Sequence, residues 1–446
     1  MTALGAAQEQ LVRRFADCEA GLAEASPGWL APIRRAAIER FAELGFPTRK
    51  DEVWKYTSTA PIAQAALDPS PAATDGVSRD EIRNLVGSES AECCLVFEDG
   101  RFAPEFSSTD ALSGDVEVRS LASVLAEDSS RLRPLLDAED PLDRPFAALN
   151  RAFHRDGAFV RVTAGAAPER PIQLLFVATP GAAGRVANPR NVISVDAGAR
   201  AAVTMRYAAR CDAVYWTNAV TQVLVGPNAE LDLVTIQSEA EAAFHLSSLG
   251  VTQDRDSRFR SHLISLGAAL ARSEINARLD APGVDCELNG LFLVDGEQHV
   301  DSQTTIDHAS PHGTSRELYK GILDGHSHGV FNGKILVRPG AQKTNAQQSN
   351  PNLLTSDRAR INTKPTLEIQ ADDVKCTHGS TVGHLDEDAL FYLRARGVEE
   401  RAAREMLTVA FASEIAQSIP QPSLRAQVEQ ELARKIDRSC VGAAAR

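Results

Sequence analysis

This 446-residue chain lacks most of the features that announce a function. Its seven cysteines, an odd number, are scattered at 18, 93, 94, 211, 286, 376 and 440 and form no C-x-x-C pair. That excludes a disulfide framework and a zinc ribbon, and a reducing cytoplasm is the expected setting. No apolar run is long enough to cross a bilayer, and the first residues lack the basic and apolar regions of a secretory signal. Basic residues are outnumbered, 47 Lys and Arg against 60 Asp and Glu, for a net charge of −13. Nucleic-acid binding needs the opposite balance. Gly333-Lys334 is followed by Ile335, where a phosphate loop requires Ser or Thr, and neither G-x-G-x-x-G nor G-x-S-x-G occurs. The chain is therefore expected to have no nucleotide site of its own and no recognisable catalytic apparatus.

What the chain does have is a soluble composition, 43% apolar and 24% charged. Its length suits two or three domains or an elongated repeat. The first ~50 residues carry helical spacing: Leu11, Phe15, Cys18 and Leu22 form one stripe, and Ile33, Ala37, Phe41 and Leu44 a second, with Pro32 near its start and Gly45 past its end. Trp54 and Tyr56 stand in a charged segment that they would anchor to the body of the protein. From ~60 to ~150 the signal is mixed, with a Pro/Ala-rich loop expected near Pro69 to Ala73.

From ~155 to ~385 the period becomes two. In the cleanest run, Ser273, Ile275, Ala277 and Leu279 take one face, while Arg272, Glu274, Asn276, Arg278 and Asp280 take the other. Breaks recur at Gly198, Pro227-Asn228, Gly250, Pro282-Gly283, Gly296 and Gly325. More than ten short strands with no helix between them form either a sandwich or a β-solenoid. Aromatics at only 5% and the lack of cysteine staples lean toward the solenoid, whose coils stack a thin aliphatic core. Helix returns after Asp386, a predicted N-cap, with a stop at Gly397. A second helix carries Ala403, Leu407, Phe411 and Ile415 in one row and ends before Pro420; a third spans roughly Ser423 to Ile436. The expected organisation is a helical and mixed region over 1–150, a β core over 151–385 and a helical domain over 386–446.

The chemistry gathers late in the chain. Seven of ten histidines fall between His299 and His384. His308-x-x-x-His312 is not a helical metal pair, because Pro311 breaks the helix. His326 and His328 would share a strand face, which keeps a metal role open beside solvated or hydrogen-bonded imidazoles. The run Asp372-Asp-Val-Lys-Cys-Thr-His-Gly places Cys376 two residues from His378. On an extended strand both point the same way. Thiolate and imidazole hold iron, zinc and iron–sulfur centres, yet two ligands do not close a site. The competing reading is a core cysteine beside an ordinary surface histidine. Asp372 and Asp373 either bind a cation or end a turn.

Several motifs together resemble the SufB/SufD family of iron–sulfur cluster assembly scaffolds. These are Phe331-Asn-Gly-Lys-Ile-Leu-Val, Ala341-Gln-Lys-Thr-Asn-Ala-Gln-Gln-Ser-Asn, Leu353-Leu-Thr-Ser-Asp, the segment Lys364 to Gly379, Leu390-Phe-Tyr-Leu-Arg-Ala-Arg-Gly and Trp54-Lys-Tyr-Thr. The likeness covers most of the chain and is densest from ~299 to ~415. Lys-Cys-x-His-Gly is similar to the SufD-type form. The resemblance implies a mainly β fold with α ends: a right-handed parallel β-helix core flanked by N-terminal and C-terminal helical regions. It implies a non-catalytic scaffold subunit that pairs with a SufB-like subunit by sheet-edge association and binds a SufC-like ABC ATPase. It implies that a transient iron–sulfur cluster or iron is shared with the SufB-like subunit, with none tightly bound to the chain alone. His378 and Cys376 would be ligands at that interface. Phe391, Tyr392, Arg396, Leu407, Phe411 and Ile415 would form the ATPase-docking region, with packing on the protein's own body as the competing use of the apolar band. A homodimer of the isolated chain stays open, and neither nucleic acid nor membrane is an expected partner. The alternative function is a polysaccharide-acting parallel β-helix enzyme, for which no groove of carboxylates with Arg or a calcium site is visible in the sequence.

Overall fold

A computed structural model describes residues 3–70, 76–87, 93–109, 114–137 and 144–444. The expected Pro/Ala-rich loop runs out of the described residues at 71, and the Cys440 side chain lies outside them too. The period-two segments form a parallel β-helix of about eight turns. Successive strands alternate between two ten-stranded sheets. Along one sheet the strands begin at Glu230, Arg258, Asp285, Thr314, Asn345 and Lys375, paired in register without slip. A one-residue slip would turn every inward side chain outward, so the alternating pattern holds the register.

The inward faces stack a narrow core. Ile275, Ala277 and Leu279, read from the sequence as one face, are buried there with Val223, Leu231, Leu233, Cys286, Leu288, Ile306, Phe331 and Ile335. Close stacking requires glycine where a ring crosses. A Cβ on Gly290 would overlap the Tyr319 ring beside it.

Helices cover both outer faces. Ala3–Glu24 and Leu30–Leu44 bury Leu11, Phe15, Ala37 and Phe41 against Trp216, Phe244, Leu246 and Leu270 of one sheet. The second helix is rotated from the expected stripe: Ile33 is only partly buried, and Arg34 goes inside, where its guanidinium donates to the carbonyls of Leu22 and His154 at 2.9 Å each. On the other sheet, helices Glu400–Ser418 and Pro422–Ala444 lay Ala412, Ile415, Ala416, Ile419, Leu424, Val428 and Leu432 over Val234, Ile236, Ile264, Leu291 and Ile322. Asp386 caps Glu387–Ala395 as expected, accepting from the N–H groups of Asp388 and Ala389. The mixed region is not separate from the solenoid. Its strand Cys94–Glu98, buried throughout, pairs with Ile172–Ala178 on one side and Arg101–Phe102 on the other, at the start of the first sheet.

Candidate functional site: the open end of the solenoid

Both sheets stop on strands with a neighbour on one side only, Arg360–Ile369 in one and Lys375–Gly383 in the other. The Lys375–Gly383 strand is exposed along nearly its whole length, and Val382 is 50% exposed. The Lys375 N–H donates to the Thr344 carbonyl at 2.8 Å. In a parallel ladder alternate residues turn both backbone groups to the same neighbour. Residues 375, 377, 379, 381 and 383 therefore face the neighbouring strand. Cys376, His378, Ser380 and Val382 present their N–H and C=O to the free edge.

The predicted ligand pair sits on this strand. Cys376 packs against the core between the sheets, and His378, two residues on, shares that inward face at the mouth of the solenoid. The half-buried Cys376 thiol is pushed up from its ordinary value by burial. It is thus a protonated thiol at neutral pH, whereas a metal takes the thiolate. His378 is exposed and needs only a free ring nitrogen. Asp373 acts in a turn: it pairs with Lys343, and its N–H donates to Gln342 Oε1 at 2.9 Å. Among the described residues no group of three or more His, Cys, Asp or Glu side chains is placed to hold a metal ion.

Behind the mouth, a polar row runs back through the core. In register with His378 come Gln348 on the neighbouring strand and Glu317 on the next. Both are buried, and Gln348 Nε2 donates to Glu317 Oε2 at 2.6 Å. Burial pushes the Glu317 carboxyl up to about 7, with the bond from Gln348 acting the other way.

The remaining histidines divide differently from the sequence expectation. His326 lies in the turn before the strand that begins at His328, so the two do not share a strand face; it meets Arg358 Nη1 at 3.0 Å. His328 meets Asn362 Oδ1 at 2.7 Å, and its ring packs edge-on against His299, centroids 4.7 Å apart. These belong to a network that seats Trp54-Lys-Tyr-Thr. The Trp54 ring lies 3.8 Å from the Arg272 guanidinium and edge-on to Phe146. Thr57 donates to Asp301 at 2.5 Å, which leaves the His299 Nε2–H to donate to Thr57 at 2.8 Å. Burial drops His299 to about 4, so it is neutral. Arg272 pairs with Asp301 and, at 2.6 Å, with Glu274. Burial alone would push the Glu274 carboxyl up, but Arg272 and Arg144 hold it below its ordinary value.

Beside this anchor lies a cleft of about 480 Å³ between Trp54, Arg144 and Phe146 and the outer face of the solenoid. Its carboxylates are all engaged. Glu274 pairs with Arg144 and Arg272, Glu368 with Lys334 at 2.7 Å, and Glu52 with Lys364 at 2.5 Å.

Two family models match most of the chain. "SUF system FeS cluster assembly, SufBD core domain" matches residues 176–411, and "SufBD protein N-terminal region" matches 5–174. The chain belongs to the SufBD family. An iron–sulfur cluster assembly SufBD family protein of Synechocystis is 33% identical over 89% of this chain and 89% of its own length. The iron–sulfur cluster assembly protein SufD of Escherichia coli is 30% identical over 91% of this chain and 93% of its own, and that of Bacillus subtilis 24% over 92% and 94%.

In this SufBD chain the residues expected to dock an ATPase separate into two groups. Phe391 and Tyr392 are 74% and 57% exposed, and Arg396 stacks on Tyr392 at 4.7 Å. Met406 and Val409 are exposed on the next helix. Ile415 faces the other way: it is fully buried against the protein's own sheet, which corrects its place in an outward surface. Leu407 is half-buried, and the partly buried Phe411 packs on the inner cluster beneath Lys320, whose ammonium lies 4.4 Å from its ring. The inward row follows Ala403, Thr408, Ala412, Ile415 and Ala416, because Lys320 and the sheet claim that side of the helix. Sequence reasoning missed Glu317 and Gln348. Their signal was the in-phase alternation Ser315, Glu317, Tyr319, which shares its register with Cys286, Leu288 and Gly290.

Proposed function

We propose that this SufBD family chain is a non-catalytic, cytoplasmic scaffold subunit of an iron–sulfur assembly complex. A SufB-like subunit adds a strand to the free edge of Lys375–Gly383, and His378 becomes part of a ligand set that neither chain completes alone. The single observation that carries this reading is the free edge itself. It presents unpaired backbone groups at Cys376, His378, Ser380 and Val382 and one exposed imidazole among them. Iron and sulfide are the cargo here. Cys376 is the second ligand: a metal arriving beside it displaces the thiol proton, against the cost that half-burial adds. A SufC-like ABC ATPase docks on the exposed side of the C-terminal helices, where Phe391, Tyr392, Met406 and Val409 offer apolar contact. The polysaccharide-enzyme alternative finds no support in the cleft, whose carboxylates are tied up in ion pairs.

The test is anaerobic cluster reconstitution on the assembled complex of this chain with SufB-like and SufC-like partners. His378→Ala should lower the cluster yield by at least about tenfold, since loss of a hydrogen-bonded partner behind a ligand alone costs about 10–100-fold in metal affinity. Assembly should be unaffected and the melting temperature should fall by at most a few degrees, since the side chain is exposed. An undiminished yield in the intact complex removes the ligand role.

A further inference from the structure

We propose that Gln348 positions the His378 imidazole, and that Glu317 fixes the amide of Gln348 for that task. This rests on the reading of His378 as an interface ligand. The three side chains occupy one register row on consecutive strands and point into the solenoid. Glu317 and Gln348 are buried, 3% and 4% exposed, and His378 sits at the mouth. Gln348 Nε2–H faces Glu317 Oε2 at 2.6 Å, the orientation that an ionised Glu317, which only accepts, holds in place. The amide oxygen is thereby turned away from Glu317. That oxygen is buried and meets no donor. Buried acceptors are seldom left in that state without a reason. The opposite wall is shaped to admit the amide, since a Cβ on Gly333 would overlap Gln348 Nε2.

The next side chain along the row is His378. Neighbouring strands lie about 4.8 Å apart, within reach of an imidazole. A neutral ring carries one N–H and one lone pair. When the ring N–H donates to Gln348 Oε1, the lone pair of the other nitrogen is directed toward the open end, where iron would arrive. Metal-ligating histidines are held in this way by an acceptor behind the ring, which selects the tautomer and raises the basicity of the ligating nitrogen. Gln348 is thus a positioning residue. It touches no metal itself, and Glu317 acts through it.

The experiment reads the tautomer directly. The full chain is labelled with ¹⁵N-histidine, and its ring nitrogens are observed by two-bond ¹⁵N–¹H correlation at a pH where the rings are neutral. His378 is assigned by the signals lost in His378→Ala. In the wild type one His378 tautomer should dominate. In Gln348→Leu, and in the nearly isosteric Gln348→Met, the tautomer ratio should move about two- to tenfold, the factor that one net hydrogen bond is worth. The ring signals of His299 and His308 serve as the check on folding. In the exchanged pair Glu317→Gln with Gln348→Glu, donor and acceptor are swapped, an acceptor still faces His378, and the wild-type ratio should return. Unchanged tautomer populations in folded Gln348→Leu or Gln348→Met overturn the proposal. That result would leave any yield defect of His378→Ala standing. Conversely, a full cluster yield in His378→Ala would sink the ligand role without altering the tautomer result.

Discussion

Ser380→Pro is expected to abolish pairing with a SufB-like subunit while leaving this chain folded. The Ser380 N–H points to the free edge, so proline deletes a donor that only an added strand would use. Its ring also occupies space that the incoming backbone must enter. Proline is tolerated on edge strands for the same reason, because the inner ladder through Thr377, Gly379 and Thr381 is untouched. The lost ladder bond, worth about 1 kcal/mol net, should by itself raise the dissociation constant roughly fivefold, and the clash of the ring with the incoming backbone should carry it beyond measurable pairing. Calorimetric titration of the purified subunits measures it, with Ser380→Ala as the control that keeps the donor. Equal affinity for the Pro and Ala variants would place the partner on some other surface.

The second large effect lies at the anchor of the N-terminal region. Arg272→Met should destabilise the protein by about 3–5 kcal/mol, the cost of leaving a buried charge without its partner. Arg272 joins three elements at once. It ion-pairs with the buried Asp301, pairs with Glu274 and carries the Trp54 ring on its face. Removing it leaves Asp301, among the described residues, with Thr57 and Gln303 as donors. The urea-unfolding midpoint should fall accordingly. Arg272→Met combined with Asp301→Leu should recover much of the loss, because an apolar pair of similar volume buries no charge. A shift below about 1 kcal/mol for the single variant would mean that water reaches Asp301.

Much of the solenoid was legible because one face of each strand is dry and the other is not. Ser273, Ile275, Ala277 and Leu279 show this, with Arg278 outside and exposed. The same rule misled at Glu274, which occupies an outward position but is covered by Trp54 and Arg144. No period-two pattern shows that a distant segment folds over a strand. Cys94–Glu98 stayed hidden for a related reason: a short run buried on both sides has no alternation to read. Asp386 was readable because a cap is a local device. Ile415 was not, because a wide apolar band on a helix does not say which part meets the protein and which meets solvent. At the candidate site the Cys376–His378 spacing was visible, as were the motifs around it. The polar row behind it was not. Glu317 reads as a wet residue, and its inward place follows only from the cross-coil pairing Leu288–Glu317–Gln348–His378.

On this reading the chain contributes an imidazole to a metal site shared across its free edge. This is tested most directly by pulsed electron paramagnetic resonance on the reconstituted, reduced complex. This chain carries ¹⁵N-histidine, and its partners are left at natural abundance. A ¹⁵N hyperfine coupling to the cluster is expected, and it should disappear in His378→Ala. A paramagnetic cluster formed at full yield with no ¹⁵N coupling from this chain would contradict it.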